Sequence, residues 1–192
     1  MSKGITKYEA ARAQLTHAVR AFFADADLIS VATLANVARE ISDSILEKKG
    51  HPHYSEDFAR SIGITSKELF SQTGKTTNFF KHANRDTDEM LYDFSEQEVV
   101  GRIIWACHSF NRLVKIQNRR SPKSIMLFIY WFNAINYKEV TMPLDEYEIM
   151  EKTFPNFKHQ SYRGLKIEAL VWLQKWGFDR DNSPFIEKGY AS

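Results

Sequence analysis

Two apolar stripes at helical spacing, separated by the short segment Asp25-Ala-Asp27, constrain this chain more than any other feature. The first stripe carries Ala11, Leu15, Ala18, Val19 and Phe22; the second carries Leu28, Val31, Leu34, Ala35, Ala38, Ile41, Ile45 and Leu46. Residues recurring every three or four positions share one face of an α-helix, so each stripe predicts a helix that must bury one side. The short link forces the second helix back along the first as an antiparallel hairpin. Thr6-x-x-Glu9 has the form of a capping box, which sets the first helix at about 6–24. The second helix is expected to end near Lys48-Lys49-Gly50, where lysines suit the negative end of the helix dipole and glycine accepts a left-handed cap.

Further along, short helices are expected around Glu56 to Ile62 and Ser66 to Ser71, with Gly74 interrupting and another short helix running from Lys75 to Asn84. Ser95-x-x-Glu98 opens a long amphipathic helix over about 95–117, with Val99, Val100, Ile103, Cys107, Phe110 and Val114 inward. Ser121-Pro122 reads as an N-cap followed by proline in the first turn of a helix over 122–136 that is apolar nearly all round and so belongs in the centre. Pro143 begins another helix that ends near Phe154, and a last one covers roughly 161–176, before Gly177. Met90 to Phe94 is the one segment where a brief extended stretch is considered. The fold class is all-α: a bundle of six to eight helices with an N-terminal helical hairpin. A single domain spans 1–192, with a core over 6–117 and a helical cap over 122–176 packed on it.

Composition narrows function mainly by exclusion. With 26 cations against 24 anions the net charge is +2, so no global field draws the protein onto nucleic acid or an anionic membrane. Only local patches remain, such as the cations of 115–123, while Asp86, Asp88, Glu89, Asp93, Glu96 and Glu98 form an acidic run. One cysteine, Cys107, excludes an internal disulfide and a multi-thiolate zinc site, and on an apolar helical face it reads as a packing residue. The single thiol and an amino terminus without an apolar secretory run point to a cytoplasmic protein. The longest apolar run, Ile125 to Phe132, is far shorter than the ~20 residues a bilayer requires, so no membrane partner is expected. Fourteen Phe, eight Tyr and four Trp are more rings than one small core hides easily, which suggests a groove or a subunit contact and a homo-oligomer, most simply a homodimer. A small-molecule cavity near Phe128 to Phe132 is a further reading of the same surplus.

The candidate chemistry centres on Asn78, His82 and Arg85, whose spacing places them on one helical stripe. An imidazole moves protons near neutral pH, and a carboxamide orients a ring or a phosphate. Arg85, Lys75 or Lys81 would supply the cation that metal-independent RNA cleavage needs as charge gathers on phosphorus. The competing reading has Asn78 capping the helix and His82 bonding a nearby loop, so that the motif simply pins 51–94 onto the bundle. On the long helix, Arg102-x(5)-His108 forms a second pair about 120° apart around Trp105, outside the apolar face; the plain alternative is an arginine that snorkels and a surface histidine. No metal or cofactor is called for: there is no His-Glu-x-x-His, no paired Glu-x-x-His and no glycine-rich phosphate loop, and Glu40 reads as solvated.

The hairpin with Ala10-Ala-x-x-x-Leu15, Phe22-Phe23, Ala32-x-x-Ala35-x-x-Ala38-x-Glu40-Ile and Ile45-Leu46 resembles the start of HEPN domains over about 6–117. The resemblance implies a small helical protein with an Arg-Asn-x-x-x-His motif at a dimer interface and, where that motif is intact, metal-independent RNA cleavage. Thr77-Asn-Phe-Phe-Lys-His82 is similar in placement and spacing, but Thr77 stands at the arginine position, so the charge would fall to Lys75, Lys81 or Arg85. Arg102 and His108 satisfy the looser Arg-x(4 to 6)-His form of the same pattern. Asn78 to Asp86 is also similar to a motif of bacterial helical proteins to which no activity attaches. The expectation is a HEPN-like bacterial protein that binds RNA or nucleotide phosphate, with ribonuclease activity as its catalytic form. The alternative is a non-catalytic interaction module with aromatic contact surfaces.

Overall fold

The computed structural model describes residues 4–61, 63–81, 88, 90–92 and 94–180, without the side chains at 61, 72, 73, 75–78, 80, 81 and 177–180. Among these residues the chain forms eight α-helices: α1 (Lys7–Phe23), α2 (Leu28–Lys48), α3 (Tyr54–Ser61), α4 (Ser66–Lys81), α5 (Glu96–Ile116), α6 (Lys123–Ile135), α7 (Leu144–Thr153) and α8 (Tyr162–Arg180). A 3-10 turn at Phe157–His159 links the last two. The all-α expectation holds, and no strand occurs among the described residues, Met90 to Tyr92 included.

Local chemistry explains most of the boundaries. The Thr6 hydroxyl accepts the Glu9 backbone N–H at 3.1 Å, and Glu9 accepts the Thr6 N–H at 2.8 Å, so the α1 capping box is complete. α2 ends on Gly50 at φ 71°, with His51 N–H bonded to the Leu46 carbonyl at 3.0 Å and Gly50 N–H to Glu47 at 2.9 Å. That double closure is a Schellman cap, the left-handed stop expected of the glycine. Asp25 at φ 53° and Asn118 at φ 50° close α1 and α5 in the same way.

Three boundaries differ from the sequence expectation. Residues 66–81 form one helix instead of two, because Gly74 passes through its interior; its ~1 kcal/mol propensity cost is small beside a good start. That start is a second complete capping box, in which Thr65 and Glu68 exchange bonds at 2.7 and 3.2 Å. Pro122, not Ser121, is the cap of α6, and the Ser121 hydroxyl instead donates to the Asn111 side chain. α8 runs through Gly177 to Arg180.

The core lies where α1, α2, α5 and α6 meet, with α8 closing over α1 and α6. Small residues on α2, Ala32, Ala35, Ala38 and Ser42, are fully buried and allow close approach of its neighbours. Phe22, Phe23, Phe128 and Trp131 form a cluster with centroids 5.3–5.7 Å apart in edge-on and tilted contacts. α6 is therefore the central helix its apolar sequence predicted. The α3–α4 hairpin lies on the α2/α5 pair: Arg112 donates to the Pro52 carbonyl at 3.0 Å and bonds Asp57. No helix of the described residues is long and apolar enough to cross a membrane.

Candidate functional site

Beside its apolar stripe, α5 carries a second stripe at positions 98, 102, 105, 109 and 112, and α2 answers with Asn36, Arg39 and Asp43 at i, i+3, i+7. Helical spacing aligns these two polar rows, and the packing of α2 on α5 brings them side by side. Arg102 is buried at 7% exposure, donating through Nη1 to Asn36 Oδ1 at 3.2 Å and through Nη2 to Glu98 Oε1 at 2.5 Å. It does not snorkel outward: its charge is met by an amide and a carboxylate inside the fold.

One turn along, Arg39 Nη1 bonds Asp43 Oδ2 at 3.1 Å, and its Nη2 lies 3.8 Å from Glu40 Oε1. The Arg39 guanidinium sits over Trp105, 4.8 Å from its ring, with Phe70 of α4 at 5.5 Å. A planar cation against a ring face is favourable by about 0.5–2 kcal/mol, depending on desolvation. Trp105, on the polar side of α5, thus meets α2 and α4 of its own chain. His108 stacks on Tyr54 of α3 at 4.6 Å with an interplanar angle of 15°, and Phe58 continues the column at 6.2 Å. Burial, with Arg112 adding repulsion, lowers the His108 pKa to about 4, so the imidazole is neutral at physiological pH. Burial also raises the Asp43 carboxyl above the ordinary range, partly offset by the Arg39 charge.

These residues border one groove of about 1060 Å³, walled by α2 and α5, covered by Phe58 of α3 and Leu69, Phe70 and Gly74 of α4, and reaching Phe132 of α6 and Tyr162 of α8. The span from Asn36 to Glu47 makes it about 16 Å long. Among the described residues its lining holds four carboxylates, Glu40, Asp43, Glu47 and Glu98, against the guanidinium groups of Arg39 and Arg102. Cys107 is wholly buried, its thiol pushed well up by burial, and takes no part in the groove.

Of the residues singled out from sequence, Arg102 and His108 both line this groove. His82 and Arg85 lie outside the described residues, and positions 75, 78 and 81 belong to α4 with their side chains likewise outside. Asn36, Arg39, Asp43 and Tyr54 were missed, and Glu40, read as solvated, is a half-exposed wall residue. The polar i, i+3, i+7 spacing on α2 was the available signal; its partner row lies some sixty positions later in the chain. No family model, no curated protein and no solved structure matches this chain.

Proposed function

We propose that the chain is a HEPN-like module that takes a nucleotide, or a short single-stranded stretch of RNA, base-first into the groove between α2 and α5, and that it binds without cleaving. The observation that carries this reading is the meeting of both members of the Arg102-x(5)-His108 pattern, together with Asn36, Asp43, Tyr54 and Trp105, at one groove. Aromatic faces and hydrogen-bonding edges side by side are what an unstacked base requires. Cleavage is disfavoured by the same groups. An imidazole whose pKa is about 4 is a weak base and is not protonated to act as an acid at neutral pH. The Arg102 guanidinium is engaged by Asn36 and Glu98. Phosphate recognition then falls to Lys75, Lys81 and Arg85, the first two on the same helix just past Gly74.

The test is calorimetric titration with nucleoside monophosphates and with RNA three to six nucleotides long, beside a denaturing gel of the same RNA. Binding with a shallow salt dependence and an intact strand is expected, because few phosphates would be neutralised. Steady cleavage that disappears in His108→Ala would restore the nuclease reading, and absence of any binding would remove the nucleotide reading. The four carboxylates against two guanidinium groups favour one rival: an amphipathic segment of a partner protein with basic and aromatic residues laid along the groove. Capture of such a peptide, with no nucleotide bound, would decide for it.

A further inference from the structure

The core helices turn at two ends of the bundle, and the unpaired cations gather at one of them. Arg112 donates to the Pro52 carbonyl at 3.0 Å, and Lys123 lies 5.7 Å from the Trp176 ring centroid. The start of α1, the ends of α2, α5 and α8, and the start of α6 therefore meet at this end. α2 and α5 run the same way, with Asn36 bonded to Arg102 and Pro52 to Arg112, which sets Lys48 and Lys49 level with Lys115. Lys48, Lys49, Lys115, Arg119 and Arg120 are all exposed here. Elsewhere the fold meets its cations with carboxylates: Arg102 with Glu98, Arg112 with Asp57, and Lys166 with Asp25 and Glu96. Lys48, Lys49, Lys115, Arg119 and Arg120 have no carboxylate partner among the described residues.

Part of this surface is built rather than loose. Asn118 at φ 50° closes α5, and Arg119 N–H bonds the Val114 carbonyl at 3.0 Å. The Arg119 guanidinium then lies over Tyr8, 4.4 Å from its ring centroid, while Lys175 lies 5.1 Å from the Trp172 ring beside Lys123 on Trp176. A cation already held against a ring loses less side-chain entropy when it meets an anion. We propose that this end of the bundle binds the phosphate backbone of single-stranded RNA, at a surface separate from the groove that works whether or not a base enters it. Positive charge that the fold leaves without carboxylates attracts a polyanion and displaces its counterions. The half-buried Trp172 and Trp176 rings offer unpaired bases a face to lie against, which the internally stacked bases of a duplex cannot use. Gln117 and Asn118, between Lys115 and Arg119, bring carboxamides that suit the 2′-hydroxyl, the group DNA lacks. Segments that lie on membranes carry their cations along one face of an amphipathic helix, whereas these sit on helix ends and a turn, so lipid headgroups are the poorer match.

The experiment is fluorescence anisotropy of the full chain with a labelled single-stranded RNA of mixed sequence about 16 nucleotides long, the upper site size of one single-strand-binding domain. Affinity should fall about fiftyfold over a roughly fourfold rise in salt, the counterion release of roughly four phosphates on a single strand. Removing exposed cations together, as Lys115→Gln, Arg119→Gln and Arg120→Gln, should weaken binding about tenfold or more and flatten that salt dependence. The same charge removed at the opposite end, as Lys138→Gln, Lys158→Gln and Arg163→Gln, should change affinity by less than about twofold, since distant exposed charges are screened. Equal losses in the two variants would reduce the effect to net charge and overturn the inference. A wild type that binds no strand, or binds without salt dependence, would overturn it too, even if the first variant does not fold. DNA of the same sequence should bind more weakly, and equal binding of DNA or of duplex RNA would overturn the choice of single-stranded RNA. Uptake on phosphatidylserine vesicles with no RNA bound would assign the end to a membrane and overturn the inference. Nucleoside monophosphates, too small to span this end, report on the groove, so their failure to bind removes the nucleotide reading and leaves this one standing.

Discussion

Two buried charges on this bundle have opposite surroundings. Lys166, 6% exposed, reaches Asp25 at 2.7 Å and Glu96 at 2.8 Å, lies 4.2 Å from the Phe22 ring centroid, and shares Glu96 with the Tyr162 hydroxyl at 2.7 Å. Burial works against the Glu96 charge, yet the Lys166 and Tyr162 bonds hold its pKa below the ordinary carboxylate value. Asp43, 5% exposed, has one oxygen on Arg39 and the other without a hydrogen bond, and its pKa is raised. The Lys166 cluster ties α8 to the start of α5 and the end of α1, and its polar needs are met from within. The Asp43 wall is only half met, and it faces a groove. A charge satisfied inside the fold serves stability; one left half satisfied by burial works against it.

The sharpest separation of the two regions comes from the core beside Lys166. Trp131→Ala removes a fully buried ring from the Phe22/Phe23/Phe128 cluster, and chemical denaturation should show a loss of roughly 3–5 kcal/mol. Trp131 touches the far end of the groove at Tyr162, 5.2 Å away, so nucleotide affinity of the protein that remains folded should change little; a loss as large as that of stability would join the two regions. Next comes acid. The folded His108 pKa of about 4 lies below its ordinary 6.5, so its contribution is present above pH 6.5 and is lost as pH falls towards 4. The sign follows from the unfolded chain binding the proton first, and the loss is on the order of 3 kcal/mol at most. Asp43 works the other way, since a raised carboxyl pKa favours the fold as it protonates. Glu96, held low, gives way only below its ordinary value of 4.5. Melting temperature followed from pH 7 to pH 4 should therefore fall in the wild type and fall less in His108→Gln. An unchanged slope would mean that Tyr54 and Arg112 do not hold the ring as described.

A smaller effect is expected of Glu96→Gln, which leaves Lys166 with Asp25 alone. Roughly 2 kcal/mol should be lost, less than for a buried ion stripped of every partner, and the loss should be seen in denaturant midpoints without any change in ligand preference. The smallest is Thr65→Ala, which removes a cap from α4 at a cost of about 1 kcal/mol. Hydrogen exchange should quicken at the start of α4 and leave α1, α2 and α5 unaffected; a uniform change would show that the hairpin and the core unfold as one.

Most of the architecture could be read from local signals. The Thr6 box, the stripes at 11–22 and 28–46, Gly50 and the apolar run of α6 each act within a turn or two of the chain, so they set helix limits and buried faces without reference to distant residues. Gly74 misled because a single glycine weakens a helix without ending it. The groove was harder to read. Trp105 stood out on the polar side of its helix, but nothing near it in sequence named Arg39 of α2 and Phe70 of α4 as the groups it meets.

From its own order of residues the chain determined an all-helical bundle, the hairpin that begins it and the central place of α6, because periodicity and capping encode which side of each helix is hidden. Tertiary structure alone decided what each hidden side is hidden against: Arg102 turned inward onto Asn36, His108 became neutral beneath Tyr54, and Asp43 was left one donor short. Those outcomes depend on desolvation and on partners from other helices, quantities that exist only once the helices have packed.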